Sequence, residues 1–136
     1  MIGLDTNVLA RFLMQDEVTQ SAIASDLIAS LTEDVPGFVC REVLVELVWV
    51  MERAYGLSRA SIVEVLAGLL ESRELVIEGS ERVAIAVDRY RQGGPGFADQ
   101  MVALAGRAAG CDRTVTFDRK ASKLPDMQFL DHGSDH

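Results

Sequence analysis

The sequence predicts an α/β domain in which helices cover a central, mainly parallel sheet of about five short strands. Short segments of apolar and β-branched residues alternate with longer segments whose apolar residues have helical spacing. Glycine, proline and small polar residues separate the two kinds of segment. Parallel strands require crossover connections, which are usually helical. The alternation therefore favours a three-layer α/β/α sandwich.

The first half of the chain contains three predicted strands. The predicted elements are a strand at 1–4, helices at 8–14 and 19–31, a strand at 38–40, helices at 41–55 and 58–72, and a strand at 75–77. Gly56 ends the helix that starts at Arg41, and Ser58 is the predicted N-cap of the next helix. Trp49 and Leu47 lie within the apolar run of the 41–55 helix. Core packing is favoured for Trp49 over the edge of a hydrophobic groove.

The second half contains two further strands. A helix is predicted at 80–90, a glycine-rich connector at 93–96, a helix at 97–110, and strands at 114–117 and 127–130. The connector has neither the dinucleotide-binding nor the P-loop glycine pattern. We expect a single domain at 1–131, followed by a disordered tail at 132–136.

Composition limits the classes of function. The chain has 136 residues, of which 49% are hydrophobic, and a net charge of −8. The negative charge argues against broad attraction to nucleic acid, so RNA would need local basic residues. The two cysteines form no CxxC pair, which favours a reducing, cytoplasmic location. Asp5 and Arg11 interrupt any N-terminal signal peptide, and no apolar stretch approaches the length of a membrane span.

Four acidic residues occupy positions where an α/β fold can bring side chains to one pocket. Asp5 and Asp118 directly follow predicted buried strands, at the sheet edge where ligands bind in open α/β sheets. Glu46 interrupts an apolar helical run, and Asp99 lies at the start of a helix. Clustered carboxylates repel one another unless a cation compensates them. Oxygen-only ligation suits Mg²⁺ or Mn²⁺, which can activate water for phosphate-ester hydrolysis.

The same residues carry a resemblance to a known family. The segments Asp5-Thr6-Asn7, Val45-Glu46-Leu47, Phe97-Ala98-Asp99 and Thr116-Phe117-Asp118 follow one another in the order typical of PIN domains. The chain resembles in particular the VapC-type toxin ribonucleases of bacterial toxin–antitoxin pairs. Any one segment is weak, but four in order over nearly the whole chain make the resemblance specific.

This resemblance implies a Mg²⁺- or Mn²⁺-dependent endoribonuclease that cleaves RNA by hydrolysis. It assigns Asp5, Glu46, Asp99 and Asp118 to the metal site. It also implies supporting roles for Thr6, Asn7 and Thr116. The family often has serine at the position of Cys40. A cognate antitoxin that covers the acidic pocket, and a homodimer, are the implied protein partners.

Each acidic residue also has a structural explanation. Asp5 and Asp118 could start turns, and Asp99 favours a helix N-terminus whether or not it binds metal. Glu46 could belong to an exposed stripe with Glu42 and Arg53. Between the two glutamates, Glu46 is favoured as the ligand because Glu42 lies in the first helical turn.

The basic segment after Asp118 and the class of protein also have alternative interpretations. Arg119 and Lys120, which follow Asp118, could contact RNA phosphates or lie in a solvated loop. A PIN-like domain without activity could serve as a binding scaffold. An aspartate-based phosphatase is a further alternative, with Asp5 as the nucleophile, although no second acid lies two positions on.

Overall fold

A computed structural model describes residues 1–132 of the chain as five strands and six α-helices. The strands are β1 (Ile2–Gly3), β2 (Gly37–Val39), β3 (Leu75–Ile77), β4 (Thr114–Thr116) and β5 (Met127–Phe129). The α-helices are α1 (Thr6–Met14), α2 (Val18–Ser30), α3 (Arg41–Arg53), α4 (Arg59–Glu71), α5 (Ser80–Arg91) and α6 (Phe97–Ala108). A short 3-10 helix covers Ala121–Lys123. Every strand and helix predicted from the sequence is present, which confirms the α/β class.

The strands pair in parallel within two separate sheets. The first sheet has the order β1-β2-β3, and the second contains β4 and β5. The predicted five strands and their parallel direction are therefore confirmed, although hydrogen bonds divide them into a set of three and a set of two. The chain forms two compact units, Met1–Ala84 and a second that begins at Ile85, and each sheet belongs to one unit. The single domain at 1–131 stays a prediction.

The core of the first unit forms where helices cover the three-stranded sheet. Helix α3 buries Leu44, Leu47, Val48 and Met51, which recur at helical spacing. Helix α4 buries Ile62, Leu66 and Leu69 and packs against α3 and β3. Ser58 accepts a hydrogen bond from the Ser61 N–H, which confirms it as the N-cap of α4. Gly56, with φ 61°, takes the left-handed conformation after α3.

Gly37 allows close packing at the centre of the first sheet. It pairs with Ile2 of β1 and with Leu75 of β3. A Cβ at Gly37 would lie 2.8 Å from Leu4 Cδ1 and 2.9 Å from Leu31 Cδ1. The missing side chain therefore leaves room for Leu4, which follows β1, and for Leu31, the C-cap of α2, to pack against β2.

In the second unit, helix α6 packs beside strand β4. A Cβ at Gly106 of α6 would lie 2.3 Å from Thr114 Oγ1, so the glycine permits this approach. Tyr90 and Phe97 are both buried and meet edge to face, with ring centroids 6.0 Å apart. Arg107 Nε lies 4.0 Å from Asp126 Oδ2, and this ion pair connects α6 to the turn before β5.

Two expectations about burial are wrong, and the predicted tail lies mostly outside the described residues. The strands before Asp5 and Asp118 are not buried, since both residues of β1 are exposed and Val115 of β4 is 46% exposed. Each of these strands has a hydrogen-bonded neighbour on one side only within its sheet. The core position predicted for Trp49 is wrong, because its side chain is 57% exposed. Of the predicted disordered tail, residues 133–136 lie outside the described residues, and His132 forms a turn.

A polar cluster connects the α1–α2 turn to the end of α3. The Tyr55 hydroxyl donates a hydrogen bond of 2.7 Å to Asp16 Oδ2, and Arg11 lies 3.2 Å from Asp16 Oδ1. Arg11 Nε also donates to Gln20 Oε1 of α2 at 2.8 Å. The hydrogen bond from Tyr55 is the main cause that lowers the pKa of the Asp16 carboxyl below its ordinary value. The same bond raises the pKa of the Tyr55 phenol.

We predict that Tyr55→Phe lowers the melting temperature near neutral pH. The folded pKa of Asp16 is lowered, so its contribution is present above the ordinary carboxyl pKa of about 4 and is lost as the pH falls through the folded value. The folded pKa of Tyr55 is raised, so its contribution is present below about pH 10 and is lost at higher pH. Thermal melts across pH check this. A difference between wild type and Tyr55→Phe that stays constant below pH 4 would contradict it.

Candidate functional site

Asp5 connects β1 to α1. It is the N-cap of α1, and its Oδ1 accepts a hydrogen bond of 2.7 Å from the Thr6 N–H. The carboxyl group is exposed, Thr6 is buried, and Asn7 is exposed in the first turn of α1. Asn7 also lines a groove of about 240 Å³ between α1 and α2. Asp5 therefore has the structural role considered for it at the start of a turn, and this role uses one of its two carboxylate oxygens.

Glu46 lies on the exposed face of α3, opposite the buried leucines. Glu42, Glu46, Trp49 and Arg53 are all exposed and follow one another at helical spacing. The exposed stripe considered for Glu46 is thus what the structure contains, with Trp49 as an additional member. An exposed carboxylate needs no buried partner and is accessible to a cation or substrate.

The start of α3 is fixed by a residue that the sequence interpretation did not single out. Cys40 is the N-cap of α3, but its side chain makes no capping hydrogen bond. Instead, Glu78 Oε1 accepts a hydrogen bond of 3.0 Å from the Arg41 N–H and lies 3.4 Å from Arg41 Nε. This backbone hydrogen bond is the main cause that lowers the pKa of the Glu78 carboxyl. No local signal points to Glu78, because it reaches α3 from the end of β3.

Asp99 lies in the first turn of α6 and is half-buried. Its Oδ2 accepts a hydrogen bond of 3.2 Å from the Gly96 N–H, while the Gly96 carbonyl accepts one from the Gln100 N–H. The carboxylate thus stabilises the start of the helix that holds it. Gly93 and Gly94 have positive φ angles, which fits the predicted connector before α6.

Asp118 organises the turn after β4. Its Oδ1 accepts hydrogen bonds from the N–H groups of Lys120 at 2.8 Å and Ala121 at 3.0 Å. Its own N–H donates to Thr116 Oγ1 at 3.0 Å. Thr116 therefore contacts the backbone of Asp118, and the supporting role implied for it stays a prediction. Both bonds to the carboxylate use the same oxygen.

The basic segment after Asp118 is exposed. The guanidinium of Arg119 lies over the ring of Phe129, 4.1 Å from its centroid. Lys120 is exposed and forms no ion pair within residues 1–132. Lys120 is thus available for an anion, whereas Arg119 is positioned by an aromatic ring.

The four acidic residues divide between the two units. Asp5 and Glu46 belong to the first unit, and Asp99 and Asp118 belong to the second. Within residues 1–132, no three or more histidine, cysteine, aspartate or glutamate side chains are grouped so that they could hold a metal ion. The four-acid site stays a prediction.

Among residues 1–132, none of the helices has the length and apolar character that a membrane span requires.

Comparison with known proteins identifies the class. The family model of the PIN domain matches residues 2–127, which include all four acidic positions. The chain therefore belongs to the PIN domain family, and the resemblance seen in the sequence is confirmed. The chain is also similar to a protein named VapC ribonuclease from Aquifex aeolicus (strain VF5). The two are 28% identical over 121 residues, which cover 89% of this chain and 90% of the relative.

The turn after β4 allows the structural role of Asp118 to be separated from a chemical one. An asparagine can still accept the two backbone hydrogen bonds through its side-chain oxygen. We predict that Asp118→Asn changes the free energy of unfolding by less than about 0.5 kcal/mol, whereas Asp118→Ala costs about 1 kcal/mol. Urea unfolding of both variants measures this. Equal stability of Asp118→Ala and wild type would show that the turn does not depend on the carboxylate.

Proposed function

We propose that this chain is a metal-dependent endoribonuclease and the toxin of a toxin–antitoxin pair. The observation that carries the proposal is the match of the PIN domain model across residues 2–127, a range that contains the four acidic residues on which the resemblance rests. The similarity to a protein named VapC ribonuclease, along 89% of this chain, supports the same class. The name of that relative indicates ribonuclease activity, and we propose the same activity for this chain.

Asp5, Glu46, Asp99 and Asp118 would hold Mg²⁺ or Mn²⁺. Their donor atoms are all carboxylate oxygens, which hard divalent cations prefer. The backbone hydrogen bonds of the three aspartates each occupy one oxygen, so capping is compatible with a cation held by the other. A divalent cation bound there supplies Lewis acidity toward the phosphodiester and lowers the pKa of a coordinated water.

The protein's own residues would position these groups and the substrate. Thr116 orients the backbone at Asp118, and the pairing of Glu78 with Arg41 fixes the start of the helix that carries Glu46. Lys120, and Arg119 supported by Phe129, would contact RNA phosphates beside Asp118. Thr6 and Asn7 would support the first turn after Asp5.

The proposed reaction is hydrolysis of an RNA phosphodiester bond. Water attacks the phosphorus, and the bond to the 3′ oxygen breaks. The products then carry a 5′-phosphate and a 3′-hydroxyl. The ribose 2′-hydroxyl takes no part as a nucleophile. Products with a 2′,3′-cyclic phosphate would contradict this mechanism.

The proposed partners follow from the class. A cognate antitoxin would cover the acidic residues and suppress cleavage, and the active chain would be a cytoplasmic homodimer. A short open reading frame next to this gene, encoding a protein with a DNA-binding N-terminus, would supply the antitoxin. Co-expression followed by purification of the pair tests this. Free toxin with unchanged activity in the presence of that protein would contradict the pairing.

We predict that cleavage of RNA stops with a chelator and returns with Mg²⁺ or Mn²⁺. Asp5→Asn, Asp99→Asn and Asp118→Asn should each lower the rate at least about 10²-fold, since each removes a charged ligand. Retained cleavage in the chelator would contradict metal dependence. Absence of cleavage with either cation, by a folded protein on a broad RNA pool, would favour the scaffold alternative.

Glu42 and Glu46 provide a matched pair on one helical face. Both are exposed on α3 and lie four residues apart, so their substitutions change the same charge in similar surroundings. We predict that Glu46→Gln abolishes cleavage and weakens Mg²⁺ binding, whereas Glu42→Gln changes either by only a few-fold. Single-turnover rates and metal titrations measure the two effects. A larger loss in Glu42→Gln than in Glu46→Gln would identify Glu42, one turn nearer the start of α3, as the metal ligand.

Mg²⁺ should also stabilise the folded protein. Binding to the folded state alone raises stability by about 2.7 kcal/mol at a cation concentration one hundred times the dissociation constant. We predict a rise in the melting temperature of the wild type with Mg²⁺ and a smaller rise for Asp99→Asn. Without cation, Asp99→Asn should melt at or above the wild-type temperature if the acids repel one another. A Mg²⁺ response equal in both proteins would place Asp99 outside the site.

A further inference from the structure

Two exposed aromatic side chains lie beside candidate catalytic acids. Trp49 is 57% exposed and Phe117 is 77% exposed, whereas the other aromatic residues of the chain are buried or half-buried. Trp49 follows Glu46 by three residues on α3, and Phe117 directly precedes Asp118. An exposed tryptophan or phenylalanine has an unfavourable apolar surface in water. Both such surfaces in the described part of the chain thus adjoin proposed ligands.

Trp49 lies between an acid and an unpaired cation. The helical spacing places Glu46 one turn before Trp49 and Arg53 one turn after it, on the same exposed face. Arg53 forms no ion pair or side-chain hydrogen bond within residues 1–132. At about 1.5 Å per residue, Glu46 and Arg53 lie about 10 Å apart along the helix. This face therefore presents a carboxylate, an aromatic ring and a positive charge in a row.

The segment around Phe117 repeats these groups independently. Phe117 is exposed beside Asp118, and Lys120 follows two residues later. Like Arg53, Lys120 has no acidic partner in the described residues. Aromatic rings that stack on unpaired bases, combined with cations that contact phosphates, are the recurring means of binding single-stranded RNA.

We propose that Trp49 is a stacking platform for an unpaired base of the RNA substrate, with Arg53 as its phosphate contact. The proposal rests on the proposed ribonuclease function and adds which residues of α3 would hold the RNA. A base stacked on Trp49 holds the strand beside Glu46. Stacking does not depend on net charge, so it provides affinity in a chain with a net charge of −8. Phe117 is the corresponding platform beside Asp118.

The charges on this face favour RNA over a second copy of the chain. A self-interface centred on Trp49 would bring Glu42 and Glu46 out of water, at a desolvation cost that needs compensating partners. The face is also not a continuous apolar patch, because Trp49 lies between two charged residues of the stripe, Glu46 and Arg53. Single-stranded RNA leaves these carboxylates available for a cation.

The lone tryptophan of the chain makes the test direct, because its fluorescence reports Trp49 alone. The Asp118→Asn protein, with Mg²⁺ present, is titrated with short single-stranded RNA of randomised sequence and with a duplex of the same composition. Anisotropy of labelled RNA measures binding separately. We expect saturable quenching by the single strand and little quenching by the duplex. Binding without quenching, or no binding at all, would overturn the proposal.

Substitutions distinguish an aromatic surface from a merely apolar one. Trp49→Leu keeps an apolar side chain and should weaken single-strand binding about five-fold or more, whereas Trp49→Phe should retain most of the affinity. Ile23→Ala is the matched control, because it removes a 65% exposed apolar side chain from α2 without an aromatic ring. In the active protein, Trp49→Leu should raise KM more than it lowers kcat. Equal binding by wild type and Trp49→Leu would refute the platform.

The outcomes separate this inference from the proposed function. If the wild type cleaves RNA with Mg²⁺ but Trp49→Leu binds and cleaves normally, the stacking platform is wrong and the ribonuclease stands. If the wild type does not cleave RNA with Mg²⁺ or Mn²⁺, the proposed function itself fails. A tryptophan emission spectrum that shifts on dilution without RNA, together with a matching change in sedimentation, would assign Trp49 to a contact between copies.

Discussion

The first unit depends on β2, the central strand of its sheet, against which Leu4 and Leu31 pack closely at Gly37. Gly37 pairs with both β1 and β3, and a Cβ there would lie 2.8 Å from Leu4 Cδ1 and 2.9 Å from Leu31 Cδ1, so the two leucine side chains would have to shift. Leu4 directly precedes Asp5, and β2 directly precedes the start of α3. The central strand β2 thus adjoins both the place where Asp5 leaves β1 and the place where the helix of Glu46 begins.

The three candidate aspartates all have backbone roles. Asp5 and Asp99 stabilise helix starts, and Asp118 holds a turn through two N–H groups. The structural explanation and the functional one are therefore not alternatives. A carboxylate whose one oxygen is fixed by the backbone has lost rotational freedom before any ligand arrives, which is the condition for a preorganised site.

Helix α3 shows how one element can serve both packing and chemistry. One face holds the leucines, Val48 and Met51 in the core, and the opposite face carries Glu46 and Trp49. Because the two faces do not share side chains, a substitution on the exposed face can change substrate contacts without changing the packing of the core. An exposed tryptophan at position 49 is therefore compatible with the buried core face of α3.

The sequence alone determined the order of strands and helices, the parallel direction, the cap at Ser58 and the family. The elements and the cap depend on local periodicity and turn residues, and the parallel direction and the family depend on the order of segments along the chain. Tertiary structure decided the exposure of Trp49, the exposure of β1 and β4, and the capping of α3 by Glu78. An apolar run in a helix does not say which side meets the core, since that depends on the surfaces that other segments bring to it. The partner of the Arg41 N–H is 37 residues away, and only the fold joins them.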